Sequence, residues 1–332
     1  MNILICSAGR RVKLINYFRE ELQNMGGKVL AIDCDSKAPA LYFADSYEVV
    51  PRIDDHKYLH VIERICKKHQ INALFSLIDP ELTLLAKNKA YFEGVGIQVI
   101  TSDYEVINYC YDKYLTYKTL TKHQIPCVKT YIDLNEVQKD LEKGTISFPL
   151  MVKPRRGSAS VGIKKVSSIK ELYVLFQLHE DLVVQPFIDG DEYGVDCYID
   201  MIHHGVTNIF IKQKMMMRAG ETDKSLAVKT PELTAIIQKL TSVINFTGPI
   251  DIDCFKTEEG YFISEINPRF GGGYPHAHEL GQNFPRKIIN NIQGIPNQVE
   301  IGNYEEGSIL IKYENHRIIH KVGEVFVRSN FI

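Results

Sequence analysis

Residues 248–269 read GPIDIDCFKTEEGYFISEINPR, two alternating apolar–polar runs separated by Glu258–Glu259–Gly260. Alternation with period two marks strands, and glycine at the third position of a three-residue loop suits the left-handed residue that closes such a hairpin. With Thr257 opposite Tyr261, Asp253 faces Glu265 and Asp251 faces Asn267. All four then share one face, while Ile250, Ile252, Phe262 and Ile266 share the other. Carboxylates gathered on one sheet face repel one another unless a cation joins them. Hard oxygen donors of this kind suit Mg²⁺, which takes one or two carboxylates and leaves room for phosphate oxygens. Asn267-Pro268-Arg269 follows at once and brings a guanidinium beside the same cation. The competing reading is a solvated face of an edge hairpin.

Two stretches upstream carry compatible chemistry. In MVKPRRGSASVGI (151–163), Lys153 ends an apolar strand, and the small residues from Gly157 to Gly162 expose backbone N–H groups with little obstruction. An anchored ammonium beside a loop of donors is a recipe for cradling phosphate, although no GxxxxGK[ST] run is present. By itself such a turn is more often a plain hairpin. In LVVQPFIDGDEYGVD (182–196), a buried strand ends at Gln185. The Phe187–Ile188 backbone can then pair with a purine edge, and Glu192 can accept bonds from ribose hydroxyls. Alone, this stretch reads as strand, turn, strand.

Around these motifs the chain divides into two styles. Residues 1–111 alternate strand and helix: Asn2–Cys6, a helix within Arg10–Asn24, Lys28–Asp33, a helix at Tyr58–His69, Ala73–Ser76, a helix from Glu81 and a strand at Gly96–Ile100. This alternation predicts a parallel sheet covered by helices, with a crevice outside the carboxyl ends of its strands, at Ser7–Arg11, Asp33–Asp35 and Asp79–Glu81. From Asp112 the pattern becomes α+β. Helices are expected at Asp112–Lys122, Leu134–Lys143, Ser168–Leu178 and Pro231–Asn245. A long hairpin is expected to turn at His203–His204, followed by an irregular segment, MMMRAGETDKS, from Met215. The tail, Ser308–Ile332, alternates as a closing strand pair would.

Composition narrows the class. Lys+Arg number 39 against 41 Asp+Glu in 332 residues, a formal charge of −2 that gives no reason to expect a nucleic-acid or acidic-membrane surface. Seven scattered cysteines without CxxC spacing indicate neither a zinc site nor a disulfide framework. No run of about 18 apolar residues occurs, and the N-terminal run is too short for a signal peptide, so a soluble cytoplasmic protein is expected.

Taken in order, Lys113 on a helix, Lys153 with its glycine loop, Gln185–Ile188, Glu192, Asp253 and Glu265-x-Asn267-Pro-Arg269 resemble the ATP-grasp superfamily. The EINPR run is most similar to the carbamoyl-phosphate-synthase large-subunit-like branch. The resemblance spans essentially the whole chain. It implies a Rossmann-like pre-ATP-grasp domain at 1–111, an N-terminal lid subdomain at 112–187 and a C-terminal subdomain with the metal site at 188–332. It further implies ATP between the two subdomains. Lys113 and Lys153 would meet phosphates, with Gly157, Ser158 and Ser160 in the loop that closes over them. Gln185, Phe187 and Ile188 would hold adenine, and Glu192 the ribose. Asp253, Glu265 and Asn267 would coordinate one or two Mg²⁺, which Mn²⁺ can replace. Arg269 would hold the transferring phosphoryl group, and Arg218 is similar in position to a residue near the acyl-phosphate. The implied reaction activates a small-molecule carboxylate as an acyl-phosphate for capture by an amine, with Lys153, Arg218 and Arg269 supplying catalytic charge. Relatives often dimerise, so a homodimer is a further expectation. Gln185 departs from the glutamate many relatives carry, and Arg155–Arg156 make an unusually basic start to the loop.

Three other readings compete. A dinucleotide-dependent oxidoreductase fits the first domain, but Cys6–Arg11 contains one glycine rather than G-x-G-x-x-G. A split carbamoyl-phosphate-synthase subunit using bicarbonate and ammonia, and a non-catalytic nucleotide-binding protein, are the others. The intact Asp253, Glu265, Asn267 and Arg269 set argues against the last. His276 and His278 read more simply as a polar helix start than as acceptor-pocket residues.

Overall fold

The apolar run Asn2–Cys6 forms β1, and its alternate residues serve two cores. Ile3 and Ile5 belong to one buried cluster, Leu4 and Cys6 to another, so both faces of the strand are covered. The computed structural model describes residues 1–157, 162–218, 220–322 and 325–327. After β1 come α1 (Val12–Gln23), β2 (Lys28–Asp33), a 3₁₀ turn at Pro39–Phe43, β3 (Ser46–Val49), α2 (Tyr58–Lys68), β4 (Ala73–Ser76), α3 (Asp79–Lys87), α4 (Lys89–Gly94) and β5 (Gln98–Val99). The strands form a parallel sheet in the order β3-β2-β1-β4-β5. Chain direction across this sheet reverses between β1 and β4, which opens a crevice at their carboxyl ends.

Two helices, α5 (Tyr104–Tyr111) and α6 (Lys113–Lys122), lead out of this sheet. Asp112 caps α6, accepting from the N–H groups of Tyr114 and Leu115 at 3.1 and 3.0 Å. Next come α7 (Leu134–Glu142), β6 (Leu150–Pro154), β7 (Lys164–Val166), α8 (Ile169–Leu178) and β8 (Leu182–Pro186), with β7-β6-β8 forming a small antiparallel sheet. Its core joins Val137 of α7 and Leu172 of α8 to Leu150, Val152 and Val184 of the sheet.

The remainder is built on a six-stranded sheet. Its elements are β9 (Asp191–Ile199), β10 (Val206–Arg218), β11 (Glu221–Val228), α9 (Pro231–Val243), β12 (Gly248–Thr257) and β13 (Gly260–Asn267). They are followed by α10 (Tyr274–Glu279), α11 (Phe284–Ile292), β14 (Ile309–Ile311) and the hairpin β15 (His320–Val322) and β16 (Val325–Val327). The order is β13-β12-β9-β10-β11-β14. One face packs on α9 through Leu233, Ile237 and Leu240; the other turns its polar residues toward the small sheet. Phe270, Tyr274 and Phe284 join the same buried cluster as Ile3, Ile5 and Phe18, so the first sheet and the C-terminal helices share a core.

Several expectations need correction. The β12–β13 turn holds two residues, with Thr257 paired to Gly260, not three. A bulge between Asp253 and Cys254 on one strand, at Ser264 on the other, then shifts the register by one. Beyond it Asp253 opposes Glu265 and Asp251 opposes Asn267, as the sequence predicts. The slip exchanges faces on the loop side: Tyr261 and Ile263 enter the core and Phe262 leaves it. Ser264 donates its hydroxyl to the Asp253 carbonyl at 3.1 Å, and the far edge of β13 is held by Val128 N–H to Ile263 O at 2.9 Å. Met215–Arg218 and Glu221–Ser225 belong to the paired β10–β11 ribbon, with register shifts on either side of Met216, and the exposed methionines hide any period. Strand β3 and helix α5 escaped the sequence reading. Part of the tail lies outside the described residues.

Candidate active site

The site grows from one row of residues across three strands. On β12, Asp251 is flanked by Asn267 of β13 and Asp196 of β9; two residues along, Asp253 is flanked by Glu265 and Gly194. Gly194 opposes Lys212 of β10 on its other side, and Lys214 lies two residues further. Absence of a side chain at Gly194 lets both lysines lean over it: a Cβ there would stand 3.1 Å from the Lys212 Cε and 3.2 Å from the Lys214 Cε. Lys212 turns to the buried Asp196 carboxylate. Lys214 turns the other way and bridges Glu192 at 2.7 Å and Asp253 at 2.6 Å. The run Gly271–Gly273 lies against the same charges. A Cβ at Gly271 would be 2.4 Å from the Asp251 Cγ, and one at Gly273 would be 2.7 Å from the Lys212 Cε.

These charges are unevenly compensated. Burial, then the charges of Asp253 and Asp196, raise the Asp251 carboxyl to about 7, with Lys212 and Arg269 opposing. Burial also raises Glu265, against the pull of Lys113. Burial alone would lower Lys214, but Asp253 and Glu192 outweigh it and hold the ammonium protonated. Glu265 and the Asn267 side chain face the cleft with no hydrogen-bond partner among the described residues. Among the described residues, no three His, Cys, Asp or Glu side chains converge closely enough to hold a metal ion alone. Two opposed carboxylates and a free amide therefore fit a hard cation that takes its remaining ligands from phosphate and water.

The opposite wall comes from the small sheet. Lys153 on β6 donates to the Gln185 Oε1 on β8 at 2.7 Å, and Gln185 donates its own amide to the Thr130 hydroxyl at 2.9 Å. An amide suffices here because its oxygen takes the ammonium and its nitrogen satisfies a buried hydroxyl. Burial depresses the Lys153 pKa, with Glu265 opposing. Lys113 donates to the Gly157 carbonyl at 2.8 Å, tying α6 to the start of the loop. Ser158 and Ser160 lie outside the described residues. Arg155 and Arg156 do not face phosphate space: both clamp Asp112, at 2.8 and 2.9 Å, and so anchor the cap of α6. Phe187 and Ile188 line the cleft, with the Lys165 ammonium 3.6 Å from the Phe187 ring. The cleft encloses about 500 Å³ and continues to Ser7–Arg11, Leu77 and Ile78 at the carboxyl ends of β1 and β4.

Two expected residues are placed differently. Arg269 lines the cleft, but its guanidinium is already gripped by Asp79 at the start of α3, at 3.0 and 3.1 Å, with Asp251 at 3.9 Å. Arg218 is not brought to the cleft wall: it is mostly exposed and pairs with Asp223 at 3.2 Å and Glu314 at 3.3 Å. The register of β10 turns it outward past two bulges. His276 lies in the core, its Nδ1 2.8 Å from the Ser225 hydroxyl, and burial lowers it to about 4, so it stays neutral. His278 stacks on Tyr17, and neither histidine lines the cleft. Sequence reasoning placed Asp79 at the rim of the crevice without its partner Arg269, and missed Gly194, Lys212 and Lys214. The only signal for the lysines was their spacing of two on a strand rich in apolar residues.

This arrangement coincides with known families. Residues 110–273 match the ATP-grasp domain. They are an ATP-grasp domain. Residues 3–100, ahead of it, match the N-terminal domain of PylC-like proteins. Among curated proteins, the chain is 26% identical over 266 residues to formate-dependent phosphoribosylglycinamide formyltransferase of Bacteroides fragilis, covering 74% of this chain but 66% of that protein. It is 28% identical over 255 residues to D-alanine–D-alanine ligase A of Bacillus cereus, covering 70% of this chain and 79% of that one. The fold resembles the biotin carboxylase domain of the Hydrogenobacter thermophilus 2-oxoglutarate carboxylase, solved with MgADP and bicarbonate, with a TM-score of 0.76 at 16% identity over 92% of this chain and 73% of that one. Among the described residues no helix is long and apolar enough to cross a membrane.

Proposed function

We propose that this protein is an ATP-dependent ligase that joins a small-molecule carboxylate to an amine. The observation that carries the reading is one cleft in which the free oxygens of Glu265 and Asn267 face the cations Lys153 and Arg269, with Gln185–Ile188 at the far end. Phosphoryl transfer needs positioning and charge neutralisation more than a protein nucleophile, and the cleft offers those. A substrate carboxylate oxygen attacks the γ-phosphorus, the bond to the β,γ-bridging oxygen breaks, and ADP leaves. The amine then attacks the acyl carbon, phosphate departs and the nitrogen loses a proton.

In this reading Lys113 and Lys153 bind phosphates beside the loop that begins at Gly157 and includes Ser158 and Ser160. Gln185 orients Lys153, the Phe187–Ile188 backbone meets adenine, and Glu192 takes the ribose. Asp253, Glu265 and Asn267 would hold one or two Mg²⁺, which would neutralise charge on the phosphates. Arg269, aimed by Asp79, meets the transferring group. Arg218 is left without a contact role because it points outward. We assign the protein to the cytoplasm, acting on small molecules as a homodimer. The chain spans about two thirds of the first relative's length, so whole-enzyme substrates are part of the proposal.

The test is ADP release from Mg²⁺-ATP across pools of carboxylates and amines, bicarbonate and ammonia included. Turnover confined to one carboxylate and one amine, and lost in Glu265→Ala, is expected. Failure of the wild-type protein to bind Mg²⁺-ATP would overturn the reading.

A further inference from the structure

At the end of the cleft remote from Gln185, positive charge exceeds negative. The loop after β1 turns sharply, with Ser7 at φ 48° and Gly9 at φ 51°, and delivers Arg10 and Arg11 to the cleft wall. Glu221, at the start of β11, is the carboxylate they share. Arg11 approaches it to 3.6 Å and Arg10 to 3.9 Å, distances of ion pairing without hydrogen bonding. Lys312 stands 3.4 Å from Glu221 and donates to the Gly272 carbonyl at 3.0 Å. Three cations thus surround one carboxylate. Neither guanidinium donates a hydrogen bond to a protein acceptor among the described residues. The next charges inward are Arg269 and Asp251, which already pair with Asp79 and with one another. Gly272 leaves the gap open: a Cβ there would stand 2.8 Å from the Arg11 Nη1 and 3.1 Å from the Glu221 side chain.

The geometry points to an anion subsite in which Arg11, with Arg10 at its rim, binds a carboxylate or phosphate monoester on the non-nucleotide substrate. A guanidinium presents paired N–H donors that match the two oxygens of either group, and partial burial strengthens the contact. Glu221 holds the place of the anion until it arrives and, kept by Lys312, remains as an acceptor for a neighbouring ammonium or hydroxyl. Assigning this anion to a ligase substrate rests on the function proposed above; the subsite itself does not.

Calorimetric titration of the full chain with inorganic phosphate and, separately, acetate tests it, with and without saturating Mg²⁺ and a non-hydrolysable ATP analogue. Saturable binding of one anion is expected, weakened about tenfold in Arg11→Gln, largely retained in Arg11→Lys, and strengthened severalfold in Glu221→Gln, which removes the competing charge. Preference for phosphate would indicate a phosphorylated substrate, and preference for acetate a carboxylate. No saturable binding by wild type, or equal binding by Arg11→Gln, would overturn the subsite and leave a latch between the β10–β11 ribbon and the first sheet. Nucleotide binding on the same samples separates the two readings. Intact nucleotide binding without an anion effect sinks only the subsite. Anion binding without nucleotide binding sinks only the ligase.

Discussion

Replacing Asp251 with Asn should make the nucleotide-free protein more stable in alkaline solution. The Asp251 carboxylate accepts no hydrogen bond from a described residue, lies against Gly271, and is raised to about 7 by burial and the charges of Asp253 and Asp196. Its folded pKa therefore exceeds its unfolded value near 4, so the folded state holds the proton more tightly and stability falls as pH rises from about 4 to 7. A rise of about three units corresponds to about 4 kcal/mol at full ionisation and about 1.5 kcal/mol near pH 5. Asp196, also raised by burial, relaxes when Asp251 is neutralised, so about 2 kcal/mol is the expected gain at pH 8. The chain has no tryptophan and 18 tyrosines, so urea unfolding is best followed by far-ultraviolet circular dichroism at pH 5 and pH 8. The variant should gain at both, and more at pH 8. It should also release ADP more slowly, because stored repulsion among carboxylates is what a bound cation relieves. A variant less stable than wild type at pH 8, or one with equal gains at the two pH values, would refute the account.

Asp79→Asn leaves the Arg269 guanidinium without its carboxylate. Loss of two charge-assisted bonds should lower ADP release about 10- to 100-fold, with Mg²⁺-ATP affinity changing far less, as single-turnover kinetics and nucleotide titration would reveal. Lys214→Met removes the ammonium between Glu192 and Asp253. It should cost about 2–3 kcal/mol of stability near neutral pH, measured by urea midpoints. Gly194→Ala pushes against the Lys212 and Lys214 stems; a loss of about 1 kcal/mol or more is expected, together with weakened metal dependence of nucleotide binding.

What was legible in the chain was local or strictly periodic. The buried runs of β1, β2 and β4, the helix over 58–68 and the pairing of Asp253 with Glu265 follow from period and position alone. The hairpin shows how narrow that legibility is. Its loop-side register was off by one, yet the oxygen-bearing end came out right because a bulge at Ser264 absorbs the difference. A bulge has little sequence signature beyond a small polar residue, and here it is held by contacts to a distant segment, Pro126–Val128.

The sequence by itself supplied the candidate set: Asp253, Glu265 and Asn267 stand where strand alternation turns them toward one face, and Lys113, Lys153, Gln185, Glu192 and Arg269 are proposed to work beside them. Tertiary structure alone decided their charge states and their partners. Asp79 reaches Arg269 across 190 residues, Lys214 reaches Asp253 over a glycine, and Arg218 is turned outward by two bulges. Electrostatic energy depends on distances in space and on exclusion of water, neither of which is written in the order of residues along the chain.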